Sequence, residues 1–190
     1  NSAIDTYDEV IYVDWNSETH SLLYDIKDNI QFKGNFKHIV ITPEVASLLT
    51  NNDPHAQKCC EVLGRNIGLR RATGDYMVST NIDIIHPKRN ELEETIAQLD
   101  PKTFYTISRR HADWNMIKEF HNGEIPFAEW KPLRDHLIAT SEERHFEETT
   151  VSGDNYSIIN CCGDYQIASR EVWNTIRGFE EELIYALFAD

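Results

Sequence analysis

The chain predicts an α/β fold, a mostly parallel sheet flanked by helices. Short apolar runs alternate with capped helical segments along most of the 190 residues, and that alternation produces a sheet covered on both faces. Several of the runs end in an acid or a polar triplet, so the strands finish in chemistry at one end. The composition, 41% hydrophobic and 26% charged, suits one domain with its own core.

Residues 1–8 (NSAIDTYD) read as the end of a helix entering a strand. Glu9–Asp14 (EVIYVD) is a near-continuous apolar run closing on an acid, which predicts a buried strand. His38–Thr42 is a second strand. Pro43 opens a helix to Leu49, because the first helical N–H has no intrahelical partner to lose. Asp53-Pro54 repeats the device and predicts a long helix towards Thr73, stopped by Gly74. Asp75–Thr80 is the third strand and Thr103–Ser108 the fourth, with a helix over Asn90–Leu99 between them, capped by Asn90. The stretch 109–152 is polar and aperiodic and predicts a loop-rich insertion with room for a short hairpin. After Gly163-Asp164 come a short strand and a helix, Ser169–Ile176, capped by Ser169 and closed by Gly178.

Net charge is −14. Such a surface repels nucleic-acid phosphates and anionic headgroups, so neither is expected as a primary partner. An anionic ligand would need a cation or the arginines 65, 70 and 71. No run of about 18 apolar residues spans a membrane. The cysteines form two adjacent pairs, 59–60 and 161–162, without zinc or redox spacing. They read as small buried hydrophobes, reduced, in a cytoplasmic setting. Any membrane association would fall to a segment outside this chain.

The chemistry concentrates in Arg65–Pro87 (RNIGLRRATGDYMVSTNIDIIHP). Gly64 and Gly68 each cost about 1 kcal/mol relative to alanine inside a helix. They make sense where a strand or a ligand approaches the backbone closely. Asn81-Ile82-Asp83 closes the following strand, and alternation places Asn81 and Asp83 on one side. Two oxygen-bearing side chains there suit Mg²⁺ or Mn²⁺ bridged to phosphate; a solvated turn has the same composition. Asp14 either caps a turn or accepts from a base N–H or a ribose hydroxyl. Arg65 either reaches a base or phosphate or is an exposed helix arginine. Asp164 either closes a turn or faces a second substrate. Trp114, Trp130 and Trp173 could stack on a sugar or pack in the core.

Taken together these segments resemble the GT-A nucleotide-diphospho-sugar glycosyltransferases, of the family-2 type and the galactosyltransferase-like group. The resemblance rests on Arg65, Asn66, Gly68, Ala72 and Gly74 in the pattern R-N-x-G-x-x-x-A-x-G, followed by Asn81-Ile82-Asp83 in place of a D-x-D. It rests also on the run from Gly163 to Phe179 (GDYQIASREVWNTIRGF). It covers roughly residues 9–87 and 160–190. It implies metal-assisted, inverting transfer of a sugar from a UDP- or GDP-sugar to a hydroxyl of a glycan or other acceptor. Asp83 would hold Mn²⁺ or Mg²⁺. Asp14, Arg65, Gly68 and Asn81 would line the nucleotide-sugar site. Asp190, or else Asp164, would be the catalytic base. Two departures stand out: Asn81 replaces the first acid, and the family's first strand with its nucleotide loop is missing. The expectation is therefore a single domain, 1–190, lacking its first strand and forming part of a longer protein. A catalytically silent nucleotide- or glycan-binding module and a sugar-1-phosphate nucleotidyltransferase are the alternatives.

Overall fold

The computed structural model describes residues 6–17, 35–106, 110–112, 114–121, 130–143 and 163–184. The fold is mixed α/β, and among the described residues the strands lie in separate small sheets. β1 (Glu9–Trp15) pairs in parallel with β2 (Asn35–Ile41). β3 (Tyr76–Thr80) and β4 (Tyr105–Thr106) both pair antiparallel with β7 (Tyr165–Ser169), which lies between them. Two-residue strands β5 (Arg110–His111) and β6 (Glu142–Glu143) pair antiparallel.

Among the described residues, parallel pairing as expected is found at β1–β2, whereas β3, β4 and β7 pair antiparallel. Parallel pairing needs a crossover of a dozen or more residues on one face. β7 is instead entered from the long segment after β4, which imposes no such direction, and it runs back between its neighbours.

Helix α1 (Pro43–Leu49) starts where the proline places it, with Thr42 Oγ1 accepting from Val45 N at 3.5 Å. Helix α2 (Glu61–Leu69) is shorter than the predicted Asp53–Thr73. The Asp53 carboxylate accepts from His55 N at 2.8 Å and its carbonyl from Ala56 N. The Asp-Pro signal is therefore used up in a single turn, and the helix proper starts after the cysteines. Helix α3 (Arg89–Ile96) follows Lys88, whose N–H donates to Glu91 Oε2 at 2.9 Å, so the cap falls two residues before Asn90. The 109–152 stretch is more helical than predicted: α4 (Trp114–His121) and α5 (Trp130–Thr140) lie within it. Within α5, Leu133 and Leu137, one turn apart, are buried. Helix α6 (Arg170–Ile176) has Ser169 as its cap, with Val172 N donating to Ser169 Oγ at 3.2 Å.

The antiparallel sheet carries apolar clusters on its two faces. On one, Met77, Ala168 and Trp173 pack with Leu69, Ala72 and Phe179 from α2 and the α6 region. On the other, Leu92, Tyr165 and Ile167 pack with Tyr7, Tyr76 and Val78. Trp173 is 3% exposed and its Nε1–H donates to Met77 O at 3.0 Å, so it is a core residue and offers no face to a sugar. Cys60 is buried, whereas Cys59 is exposed; Cys161 and Cys162 lie outside the described residues.

Helix α2 also packs on β1. A Cβ at Gly68 or Gly64 would touch Val13 at 3.6 or 3.9 Å, so the close partner of both glycines is a strand. Below the helix, Glu9 ties β1 and β2 to the segment between α2 and β3. Its carboxylate accepts from Thr73 N at 2.7 Å and from Lys37 Nζ at 2.5 Å. Burial pushes the Glu9 carboxyl up, but these hydrogen bonds and the Lys37 charge outweigh it and hold the group below its usual range.

Candidate functional site

Of the residues singled out by the sequence, Arg65, Asn81 and Asp164 meet at the carboxyl end of β3, while Asp14 lies at the carboxyl end of β1. Arg65 projects from the middle of α2. One guanidinium nitrogen donates to Gly163 O at 2.7 Å and Ser79 Oγ at 3.2 Å. The other donates to Glu61 Oε2 at 3.2 Å and to Asn81 Oδ1. The guanidinium also sits over the Phe179 ring, 5.5 Å from its centroid. Arg65 is therefore the hub joining α2, the end of β3 and the turn before β7. Its donors are directed inwards, and its side chain is only 11% exposed.

Asn81 extends this chain of contacts. Its Nδ2 donates to Asp164 Oδ1 at 2.6 Å and its backbone N–H to Asp164 O at 3.1 Å. Arg65, Asn81 and Asp164 thus form a relay from a guanidinium through an amide to a carboxylate. The amide can bridge because it accepts at one end and donates at the other, which an ionised aspartate could not do. Asp164 is 5% exposed.

Strand alternation does not continue past Thr80. Ile82 and Asp83 form a turn, Asn81 is half-buried within the relay, and Asp83 is exposed with no partner among the described residues. Ile82 is 68% exposed beside it. Among the described residues no group of three or more His, Cys, Asp or Glu side chains is placed to hold a metal. Asp83 could give a cation one or two oxygens, and a hard cation bridged to a diphosphate needs few protein ligands.

Asp14 closes β1 and is 6% exposed. Its Oδ1 accepts from Ser17 Oγ. Its Oδ2 is buried without a hydrogen bond among the described residues, with His38 Nε2 at 3.7 Å. A buried carboxylate oxygen in that state is suited to a donor from a ligand. Gly68 faces Val13 in the helix–strand contact. Asp190 lies outside the described residues, which end at Ile184.

Sequence reasoning missed two features. Asn66, 1% exposed, accepts at Oδ1 from Phe179 N at 2.8 Å and donates from Nδ2 to Phe179 O and Glu181 Oε1, both at 2.9 Å. It staples α2 to the turn after α6, and its place in the R-N-x-G pattern was the only available signal. The second is a buried cluster in which Tyr7 OH meets His86 Nδ1 at 3.0 Å and Tyr165 OH at 2.7 Å. Burial pushes the His86 imidazole down to about 4 and the two phenols up. A cleft of about 300 Å³ lined by Asn66, Arg70, Met77, Trp173 and Arg177 sits along the α2–α6 seam, away from Asp83.

No protein-family model, no curated protein and no solved structure matches this chain. No helix among the described residues is long and apolar enough to cross a membrane.

Proposed function

We propose that the chain is a glycosyl-transfer domain of GT-A architecture, moving a sugar from a UDP- or GDP-sugar to an acceptor hydroxyl with the help of Mn²⁺ or Mg²⁺. One observation carries the reading. Two segments distant in sequence, around Arg65–Asn81 and Gly163-Asp164, converge at the carboxyl end of β3 next to the exposed Asp83. In open α/β folds ligands bind beyond the carboxyl ends of strands. The buried, unsatisfied Oδ2 of Asp14 at the carboxyl end of β1 adds a place for a base or ribose donor.

In this reading Asp83 and the donor's diphosphate share the cation, which would offset charge developing on the leaving group. Arg65 acts through Asn81 and Gly163, shaping the floor of the site rather than touching the nucleotide. Asp164 is fixed by Asn81, so the role of base falls first to Asp190.

The test is thermal melting with UDP or GDP, each with and without Mn²⁺, on the chain and on Asp83→Ala. The expected result is a stabilisation by nucleotide that needs both the cation and Asp83. A variant that is stabilised as strongly as the parent removes Asp83 from the site. The Asn81 observation favours a second reading, a binding module without turnover, since both ends of its amide are engaged internally. Stabilisation by free sugar alone, with no hydrolysis or transfer of the donor, would select it. Turnover of a nucleoside triphosphate with a sugar phosphate would select a nucleotidyltransferase instead.

A further inference from the structure

Helix α5 buries a guanidinium without giving it a hydrogen-bond acceptor. Leu133 and Leu137 mark the buried face of the helix, and Arg134 lies beside them, 6% exposed. Its Nε is buried and has no hydrogen-bond partner. No hydrogen bond to the rest of its guanidinium is found among the described residues. Its one ion contact is to the adjacent residue: Asp135 Oδ1 stands 3.6 Å from Nε, beyond hydrogen-bond range. The other oxygen of Asp135 pairs with Lys88 Nζ at 3.1 Å, so this carboxylate is held by Lys88 rather than by Arg134.

The same molecule shows what a buried arginine normally requires. The Arg65 side chain is 11% exposed and has four acceptors. The Arg134 side chain is 8% exposed and has none. A buried carboxyl, amine or imidazole can titrate to its neutral form, but a guanidinium keeps its charge, so its cost has to be met by acceptors. Acids are not scarce: the chain has 32 Asp and Glu against 18 Lys and Arg. Even the far more exposed Arg89 is matched, to Asp8 and Glu93. An arginine left open in so acidic a chain is suited to an anion that comes from outside the fold.

We infer that Arg134, with Lys88 beside it, is a binding site for a phosphate or pyrophosphate group, whose oxygens supply the acceptors that the fold withholds. The guanidinium fork takes two such oxygens at once, and the ammonium adds a point charge. Neither residue falls within the stretches that carry the glycosyltransferase resemblance. The place is fixed by its neighbours: Thr6 Oγ1 donates to Pro87 O at 2.6 Å, immediately before Lys88. Five residues separate Lys88 from Asp83, so at most about 18 Å of chain lies between them. The anion has two possible sources with this one chemistry. It is the diphosphate of a nucleotide held through a cation at Asp83, or a phosphate-bearing ligand bound at α5 alone. Only the first source rests on the transfer reading.

The experiment is thermal melting of the parent and Arg134→Met in sodium pyrophosphate and in chloride of equal ionic strength, together with the Arg134 Nε–H resonance of the parent. Pyrophosphate at about 10 mM should raise the parent's Tm by about 3–6 °C over chloride and move the resonance saturably. In chloride Arg134→Met should melt about 2–4 °C above the parent, because an apolar side chain replaces a buried charge without acceptors, and it should lose the pyrophosphate shift. A variant that melts lower or does not fold would show that Arg134 has a structural partner, and overturns the site. So does a pyrophosphate shift that survives in Arg134→Met, or an Arg134 resonance that pyrophosphate leaves in place. UDP with Mn²⁺ distinguishes the sources. Movement of the Arg134 resonance that disappears in Asp83→Ala assigns the anion to the nucleotide donor. Movement with pyrophosphate, equal in the parent and Asp83→Ala, but none with UDP and Mn²⁺, assigns it to a separate ligand and counts against the transfer reading alone.

Discussion

Substituting Gly178 by alanine should cost far more than a methyl group suggests, because two separate faults meet there. Gly178 has φ +79°, a left-handed conformation that costs an L-residue about 1 kcal/mol. The new Cβ would also run into Asn66 Oδ1, the acceptor for Phe179 N. Asn66 is 1% exposed and cannot swing into water, so displacing it leaves buried amide groups unpaired, at about 1–3 kcal/mol. The sum is about 2–4 kcal/mol. At about 2–4 °C per kcal/mol for a domain of this size, the Tm should fall by roughly 10 °C. Urea unfolding of the parent, Gly178→Ala, Asn66→Ala and the double variant separates the two faults. With Asn66 already removed, Gly178→Ala should cost only the backbone share, a coupling of about 1–3 kcal/mol. Strict additivity, or a single-variant loss below about 0.5 kcal/mol, would refute the collision and with it the staple between α2 and α6.

Three other outcomes are expected. Stability should rise by about 3 kcal/mol between pH 4 and 6.5, because His86 is held down to about 4 in the fold and the unfolded chain takes up its proton first as pH falls. His86→Gln should flatten that window in urea titrations at stepped pH, and an unchanged slope would remove His86 as the cause. Arg65→Met should lose about 2–4 kcal/mol, since it strips four acceptors of their donor, and Arg65→Lys should recover little because an ammonium lacks the fork; a lysine variant with parental stability would show the relay to be dispensable. Asp83→Ala should leave the urea midpoint within about 0.5 kcal/mol of the parent, as expected for an exposed side chain, while abolishing Mn²⁺-dependent stabilisation by nucleotide; a clear loss of stability would show that Asp83 has a structural partner.

Local signals carried the elements. Pro43 and Ser169 placed two helix starts because both signals act within the first turn of the helix. The apolar runs at Glu9, His38 and Asp75 marked strands over equally few residues. Asp53-Pro54 misled because a cap followed by a proline starts a turn as readily as a helix, and the continuation depends on what the next residues pack against. The 109–152 stretch hid two helices because each is short, eight and eleven residues, and set in polar, proline-containing sequence.

The candidate site was legible as a set of residues and not as an arrangement. The resemblance grouped Arg65, Asn66, Gly68 and Asn81, yet it could not separate their tasks. The fold gives Arg65 to the relay, Asn66 to the α2–α6 staple and Gly68 to the contact with Val13, leaving Asp83 exposed.

By itself the sequence determined the α/β composition, the helix starts at Pro43 and after Ser169, and the position of the acids near strand ends. These follow from periodicity and capping, which act over a few residues. Only the tertiary structure decided that β7 lies antiparallel between β3 and β4, and that Asn81 lies between a guanidinium and a carboxylate. Strand direction and buried hydrogen bonds are settled between residues about a hundred positions apart, where the chain itself carries no local record of the partner.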